Sequence, residues 1–180
     1  MFSDDFKKKL YDSRIVVLSG EIDSQTASNI ISRLLEYSAD DEKKEIQLFI
    51  GSEGGSYLDM MAIYDTLKML PNPLVGVCVG MASNYTTLLL AACTKGMRSA
   101  LKHSKIYFEQ TYGALGAGAN QQTEIAIASK EARLEREVFE KALAEVTGQP
   151  LERIHEDCEK GMELTADEAK AYGIIDTVLD

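Results

Sequence analysis

A chain of 180 residues with 45% apolar content is long enough to bury one core, and a single domain over residues 1–180 is the expectation. Its 29 acidic and 19 basic residues leave a net charge of −10, which excludes a general affinity for phosphate backbones or anionic lipid unless basic residues cluster. The one basic run, Lys7-Lys8-Lys9, is short and reads as a solvated face, so neither nucleic acid nor membrane is expected as a partner.

The first apolar run, Arg14 to Leu18, reads as a buried strand. Ile22, Ala27, Ile30, Ile31, Leu34 and Leu35 then recur at helical spacing. Ile46 to Ile50 predicts a second strand, Gly51-Ser52-Glu53-Gly54-Gly55 a turn, and Tyr57, Met60, Met61, Tyr64 and Leu67 one face of a helix that Pro71 and Pro73 end. Leu74 to Val79 is the third strand; after the helical run Leu88 to Ala92 come two short extended pieces, Met97 to Leu101 and Lys105 to Phe108.

Gly113 to Gly118 reads as a small-residue loop. The stretch from Gln122 to Val146, rich in good helix formers, predicts a long helix that projects from the body and is closed by Gly148 and Pro150. Thr165-Ala166-Asp167-Glu168 has the spacing of a capping box, and Ile174 to Leu179 returns as a last strand. Strands alternating with helices through short links predict a layered α/β fold on a mostly parallel sheet. Cys78, Cys93 and Cys158 are odd in number and far apart, which fits core packing in a reducing compartment rather than a disulfide framework. With no charged-then-apolar leader at Met1 to Asp5 and no window near the length of a membrane span, a soluble intracellular protein is expected.

Gly80-Met81-Ala82-Ser83-Asn84-Tyr85, set between a strand and a helix, has the layout of a nucleophile turn. Such a turn holds one side chain above the sheet and offers the next helix's free N–H groups to an anion. Here that side chain is Asn84, an amide that exchanges hydrogen bonds but does not readily attack a carbonyl.

Together with Gly51 to Gly55, the extended segment Ser104 to Gln110, the pieces Met61 to Thr66 and Thr147 to Leu151, and the ending Ala171-Tyr172-Gly173-Ile174-Ile175-Asp176, this turn closely resembles the ClpP family of Clp protease proteolytic subunits, over nearly the whole chain. The resemblance implies an α/β crotonase-like fold with a protruding handle, and a Ser-His-Asp peptidase stacked as heptameric rings around a chamber. The family turn reads Gly-Met-Ala-Ala-Ser-Met, so the register puts Asn84 at the nucleophile position. A Ser-x-x-x-x-His-Gln segment maps onto Ser104 to Gln110, placing Glu109 at the base, and the third member falls on Gly161. All three positions of the triad are thereby substituted.

Gly54, Gly55 and the backbone of Tyr85 match the oxyanion-type donors, which depend on no side chain. The rim positions that dock an AAA+ ATPase map to Gln47 and Phe49, a dock half kept. The segment before Arg14 is shorter than the family's pore-gating loops, and the loop between Tyr112 and Thr123 is longer than its counterpart. The expected function is a catalytically inactive ClpR-like subunit that joins an active paralog, or copies of itself, in rings, with no cofactor and no metal, in the cytoplasm or a plastid stroma.

Two other readings remain open. One is an active serine-type endopeptidase or another crotonase-fold enzyme that works through Ser83 or Glu109; the other is a self-assembling scaffold unrelated to proteolysis. Against the first, a one-residue slip from the turn should point Ser83 away from the groove, and His103 and His155 read as surface residues. Glu109 reads more simply as a structural carboxylate, bonded to Asn84 or to a cation.

Overall fold

A computed structural model describes residues 3–109 and 122–180. The elements in chain order are α1 (Asp4–Asp12), β1 (Ile15–Ile22), α2 (Ser24–Asp40), β2 (Ile46–Gly55), α3 (Tyr57–Met69), β3 (Leu74–Ser83), α4 (Tyr85–Ala91), β4 (Arg98–Leu101), β5 (Lys105–Phe108), α5 (Gln122–Thr147), α6 (Leu151–Lys160), β6 (Met162–Thr165), α7 (Ala166–Tyr172) and β7 (Thr177–Leu179). The main sheet runs β1-β2-β3-β4-β7 with all neighbours parallel, and β5 branches off the far end of β3 to pair antiparallel with β6. This is the layered α/β fold on a mostly parallel sheet that the alternation of strands and helices predicts, and it agrees with the crotonase-like fold that the resemblance implies.

The strands alternate more than their apolar sequences suggest. On β1 and β2, Val16, Leu18, Ile46, Leu48 and Ile50 are buried beneath α2 and α3, whereas Val17 is 48% exposed and Phe49 is half-buried on the opposite face. Arg14 to Leu18 is therefore not a strand buried on both faces. Ile22 closes β1 instead of opening the helix, and Leu35 points outward from α2 at 43% exposure. The helix starts at a better signal, the Asp23 carboxylate accepting from the Thr26 N–H at 2.8 Å.

The expected turn at Gly51 to Gly55 is extended strand, because Gly51, Gly54 and Gly55 still pair with β1 and Ser52 with β3. Gly55 approaches β1 so closely that a Cβ would stand 1.9 Å from the Ile22 carbonyl oxygen, a contact no other residue type tolerates. Strand β3 likewise runs on past Val79 to Ser83, so the helix begins abruptly at Tyr85.

Two buried arginines tie the layers. Arg14, itself at φ 55°, donates from Nη2 to the carbonyl oxygens of Tyr37 and Asp41 and from Nε to that of Glu45, satisfying the C-terminal end of α2. Arg98 donates from Nε and Nη2 to the two carboxylate oxygens of Asp176 at 2.9 and 2.8 Å, joining β4 to the turn before β7. That turn, with Ile174 and Ile175 buried, replaces the first half of the expected last strand. The capping box at Thr165 and Glu168 is present and opens α7.

Helix α5, at 26 residues about 39 Å long, is exposed at nearly every residue from 123 to 134 and buried at Phe139 and Leu143, so only its C-terminal half is anchored in the core. The loop expected at Gly113 to Gly118 lies outside the described residues.

Candidate functional site

Strand β3 ends at Ser83 and α4 starts at Tyr85, and the single residue between them absorbs the whole change of direction. Asn84 adopts φ 49° and ψ −110°, and apart from Arg14 it is the only non-glycine with positive φ among the described residues. Such backbone is costly and persists only where the surroundings over-determine it, which is why it concentrates at working sites. Here the surroundings are hydrogen bonds. The Asn84 N–H donates to the Tyr107 carbonyl at 2.9 Å, and Thr86 Oγ1 donates to the carbonyl oxygens of Ser52 and Ser83 beneath the turn.

The turn overlooks a cleft of about 580 Å³ lined by Asn84, Ser83, Glu109, Gly161, Lys160 and neighbouring residues of β2, β3, β5 and β6. Three positions 25 and 52 residues apart along the chain are thus brought to one wall, Asn84 by the elbow, Glu109 by the end of β5, and Gly161 by the C-terminus of α6. A Cβ on Gly161 would stand 3.8 Å from Glu109 Cβ and 3.9 Å from Glu109 Oε2. These are contact distances.

The link between Asn84 and Glu109 differs from the one expected. The Glu109 backbone N–H, not its carboxylate, donates to Asn84 Oδ1 at 2.9 Å. The side chain of Glu109 is exposed and makes no hydrogen bond or ion pair among the described residues, so it is not a buried carboxylate in need of a partner. Gly161, at φ 73° and ψ 117°, ends α6 in a conformation that disfavours any side chain.

Ser83 is also among the residues that line the cleft. No imidazole accompanies it. His103 lies in an exposed turn before β5, and His155 packs on α6 with Nδ1 3.0 Å from Glu140 Oε2 on α5. Lys160, a lining residue, pairs instead with Glu156 at 3.5 Å and is largely exposed. Burial pushes the thiols of Cys78 up to about 11 and those of Cys93 and Cys158 up to about 12, leaving all three protonated and inert at neutral pH.

The backbone donors fare unequally. Gly54, at φ 110°, donates its N–H to Ser52 Oγ at 3.0 Å, so an anion in the cleft would have to compete with that hydroxyl. Gly55 is held in register with Ile22 on β1. Tyr85, the first residue of α4, is buried with its ring between α3 and α5. A second concavity of about 520 Å³, bounded by Gly20, Glu21 and Gly51 to Gly55, adjoins the first, with Glu53 and Met81 common to both.

On the other face of β1 and β2 lies a separate apolar groove of about 380 Å³, lined by Leu10, Val17, Phe49 and Val79 among others. The sequence signal for it was Phe49 alone. Gln47, two residues earlier on the same face, is not part of the lining. The sequence places Val17 in the first predicted strand and Val79 at the end of the third, and only the sheet's second face reveals them as groove wall.

The family model described as Clp protease matches residues 2–180.

Proposed function

Because the chain belongs to the Clp protease family, we propose that it is a subunit of a Clp-type ring assembly which no longer cleaves peptides and serves a structural or regulatory role. The observation that carries this reading is the elbow: a strained strand-to-helix turn that presents an amide where acyl-transfer chemistry needs a nucleophile. In a Ser-His-Asp triad the base takes the nucleophile's proton and the third group holds the base's tautomer. Asn84 has no such proton to give, Glu109 is aimed at no hydroxyl, and Gly161 has no side chain to orient anything. Loss of such a set costs about 10⁶ in turnover, and what survives is the contribution of binding and backbone donors. One of those donors, the Gly54 N–H, is already engaged by Ser52.

Members of the family form oligomeric rings, and the reading places this subunit in rings of its own or in mixed rings with an active paralog. The apolar groove beside Phe49 is the dock assigned to an AAA+ ATPase partner, with Leu10, Val17 and Val79 supplying the apolar wall that Gln47 does not. Three buried thiols suit a reducing compartment, cytoplasm or plastid stroma.

One observation favours a competing reading: Ser83 faces the same cleft as Lys160, and serine hydrolases with a lysine base exist. Lys160 is exposed and paired with Glu156, the opposite of the desolvated amine that such a base requires. The decisive experiment offers the purified chain fluorogenic peptides and a fluorophosphonate probe, in parallel with Ser83→Ala. Neither turnover nor labelling is expected; labelling lost in the variant would establish the hydrolase instead. Native mass spectrometry of the chain alone and mixed with an active paralog then reads ring composition, and a homo-oligomer indifferent to the paralog would favour an independent scaffold.

A further inference from the structure

Three residues depart from the family's turn pattern, Ser83 for alanine, Asn84 for serine and Tyr85 for methionine, and the last two connect the elbow to the end of β5 and to the projecting helix α5. Asn84 closes the entry. Its Oδ1 takes the Glu109 N–H at 2.9 Å, one residue beyond the end of β5, while its own N–H and Thr87 Oγ1 both donate to the Tyr107 carbonyl, at 2.9 and 2.8 Å. A serine oxygen sits one bond nearer the backbone and would not span the same gap without moving the strand.

Tyr85 holds the other flank. Its ring, 7% exposed, meets Tyr57 at the start of α3 with centroids 5.6 Å apart at 60°, and Phe139 of α5 with centroids 5.2 Å apart at 78°. Both are edge-to-face geometries, which contribute beyond the area they bury. Phe139 is fully buried, and it lies at the point where α5 passes from exposed to anchored.

We propose that Asn84 and Tyr85 together form a strut that fixes the end of β5 and the anchored half of α5 in one orientation relative to the sheet. The vacated catalytic turn is thereby a mechanical joint: the space and bonding capacity that a reactive serine must keep free for substrate are committed to the protein itself. This claim concerns local order, so it stands or falls separately from the loss of hydrolysis.

Amide hydrogen exchange on the assembled full-length protein tests it. Asn84→Ala is expected to speed exchange at the Glu109 amide about five- to tenfold, the ratio set by one lost hydrogen bond. Asn84→Asp, which keeps an acceptor at the same reach, is expected to retain protection. Tyr85→Met is expected to speed exchange several-fold around Phe139. Amides of Val16 and Leu48, in β1 and β2, serve as the internal reference. Acceleration confined to the Glu109 and Phe139 regions supports the strut. Unchanged exchange in Asn84→Ala and Tyr85→Met, equal acceleration in Asn84→Asp and Asn84→Ala, or a uniform rise that includes β1 and β2 would overturn it.

Discussion

The cleft at Asn84 and the joint at Arg98 are built the same way and used differently. Each gathers residues far apart in the chain at a strand end. At the joint every polar atom is committed: Asp176 accepts from Arg98 Nε and Nη2 and from the backbone N–H groups of Gly96 and Arg98, while Arg98 Nη1 reaches the carbonyl oxygens of Ala91 and Val146. At the cleft, Asn84 Oδ1 is bonded, but the Glu109 carboxylate has no partner among the described residues and Gly161 contributes only backbone. The buried joint is saturated, whereas the cleft keeps an exposed carboxylate open to water. Buried charge tolerates no incomplete pairing, whereas exposed charge is satisfied by water.

The sharpest way to break this contrast is at the joint. Arg98→Leu removes the guanidinium from the Asp176 carboxylate, which keeps only its two backbone donors, and from two carbonyl oxygens, and is expected to destabilise the fold by about 3–5 kcal/mol in urea denaturation. A loss under 1 kcal/mol would mean that the joint is no more committed than the cleft.

The pH dependence follows from the same pair. Hydrogen bonds from Arg98, outweighing the opposing effect of burial, hold the Asp176 carboxyl down at about 2, below its ordinary 3.8. A carboxyl depressed in the folded state stabilises at pH values above its unfolded pKa, and that contribution fades as pH falls from about 4 to about 2. Over this window the wild-type protein is expected to lose about 2 kcal/mol more than Asp176→Asn, compared by denaturation at each pH.

At the cleft the effects shrink. Gly161→Asp, which puts a carboxylate where the resemblance assigns the third triad member, places a side chain on backbone at φ 73° and ψ 117° and within 4 Å of Glu109. It is expected to cost about 1–3 kcal/mol and, even combined with Asn84→Ser and Glu109→His, to give weaker peptidase activity than those two changes do without it. Greater activity in the triple variant would show that the backbone at 161 is no barrier to rebuilding the site. Smallest of all, Glu109→Gln is expected to change stability by less than about 0.5 kcal/mol, since it removes an exposed carboxylate with no partner among the described residues.

Local signals read correctly wherever one residue type answers one geometric demand. The capping box at Thr165 and Glu168, the break at Pro71 and Pro73, and the long helix from Gln122 follow from backbone chemistry that does not depend on the rest of the molecule. Errors arose where a neighbouring strand decided. Gly51 to Gly55 reads as a turn by composition, yet β1 and β3 pair with it and keep it extended. Val17 reads as part of a buried strand, yet the second face of that sheet is an open groove. The three cleft positions were legible only through resemblance to the family, because neither periodicity nor spacing places an asparagine, a glutamate and a glycine on one wall.

What the sequence by itself determined is which groups stand at the cleft: an amide at the elbow, a carboxylate at the end of β5 and no side chain after α6, in a chain whose two histidines lie elsewhere. What only the tertiary structure decided is which partners these groups bond. Asn84 Oδ1 turned to the Glu109 N–H, the Gly54 N–H to Ser52, and the Tyr85 ring to Phe139. Residue identity limits which bonds a group can make, but a hydrogen bond or ring contact needs its partner at a definite distance and angle, and only the packed chain supplies that.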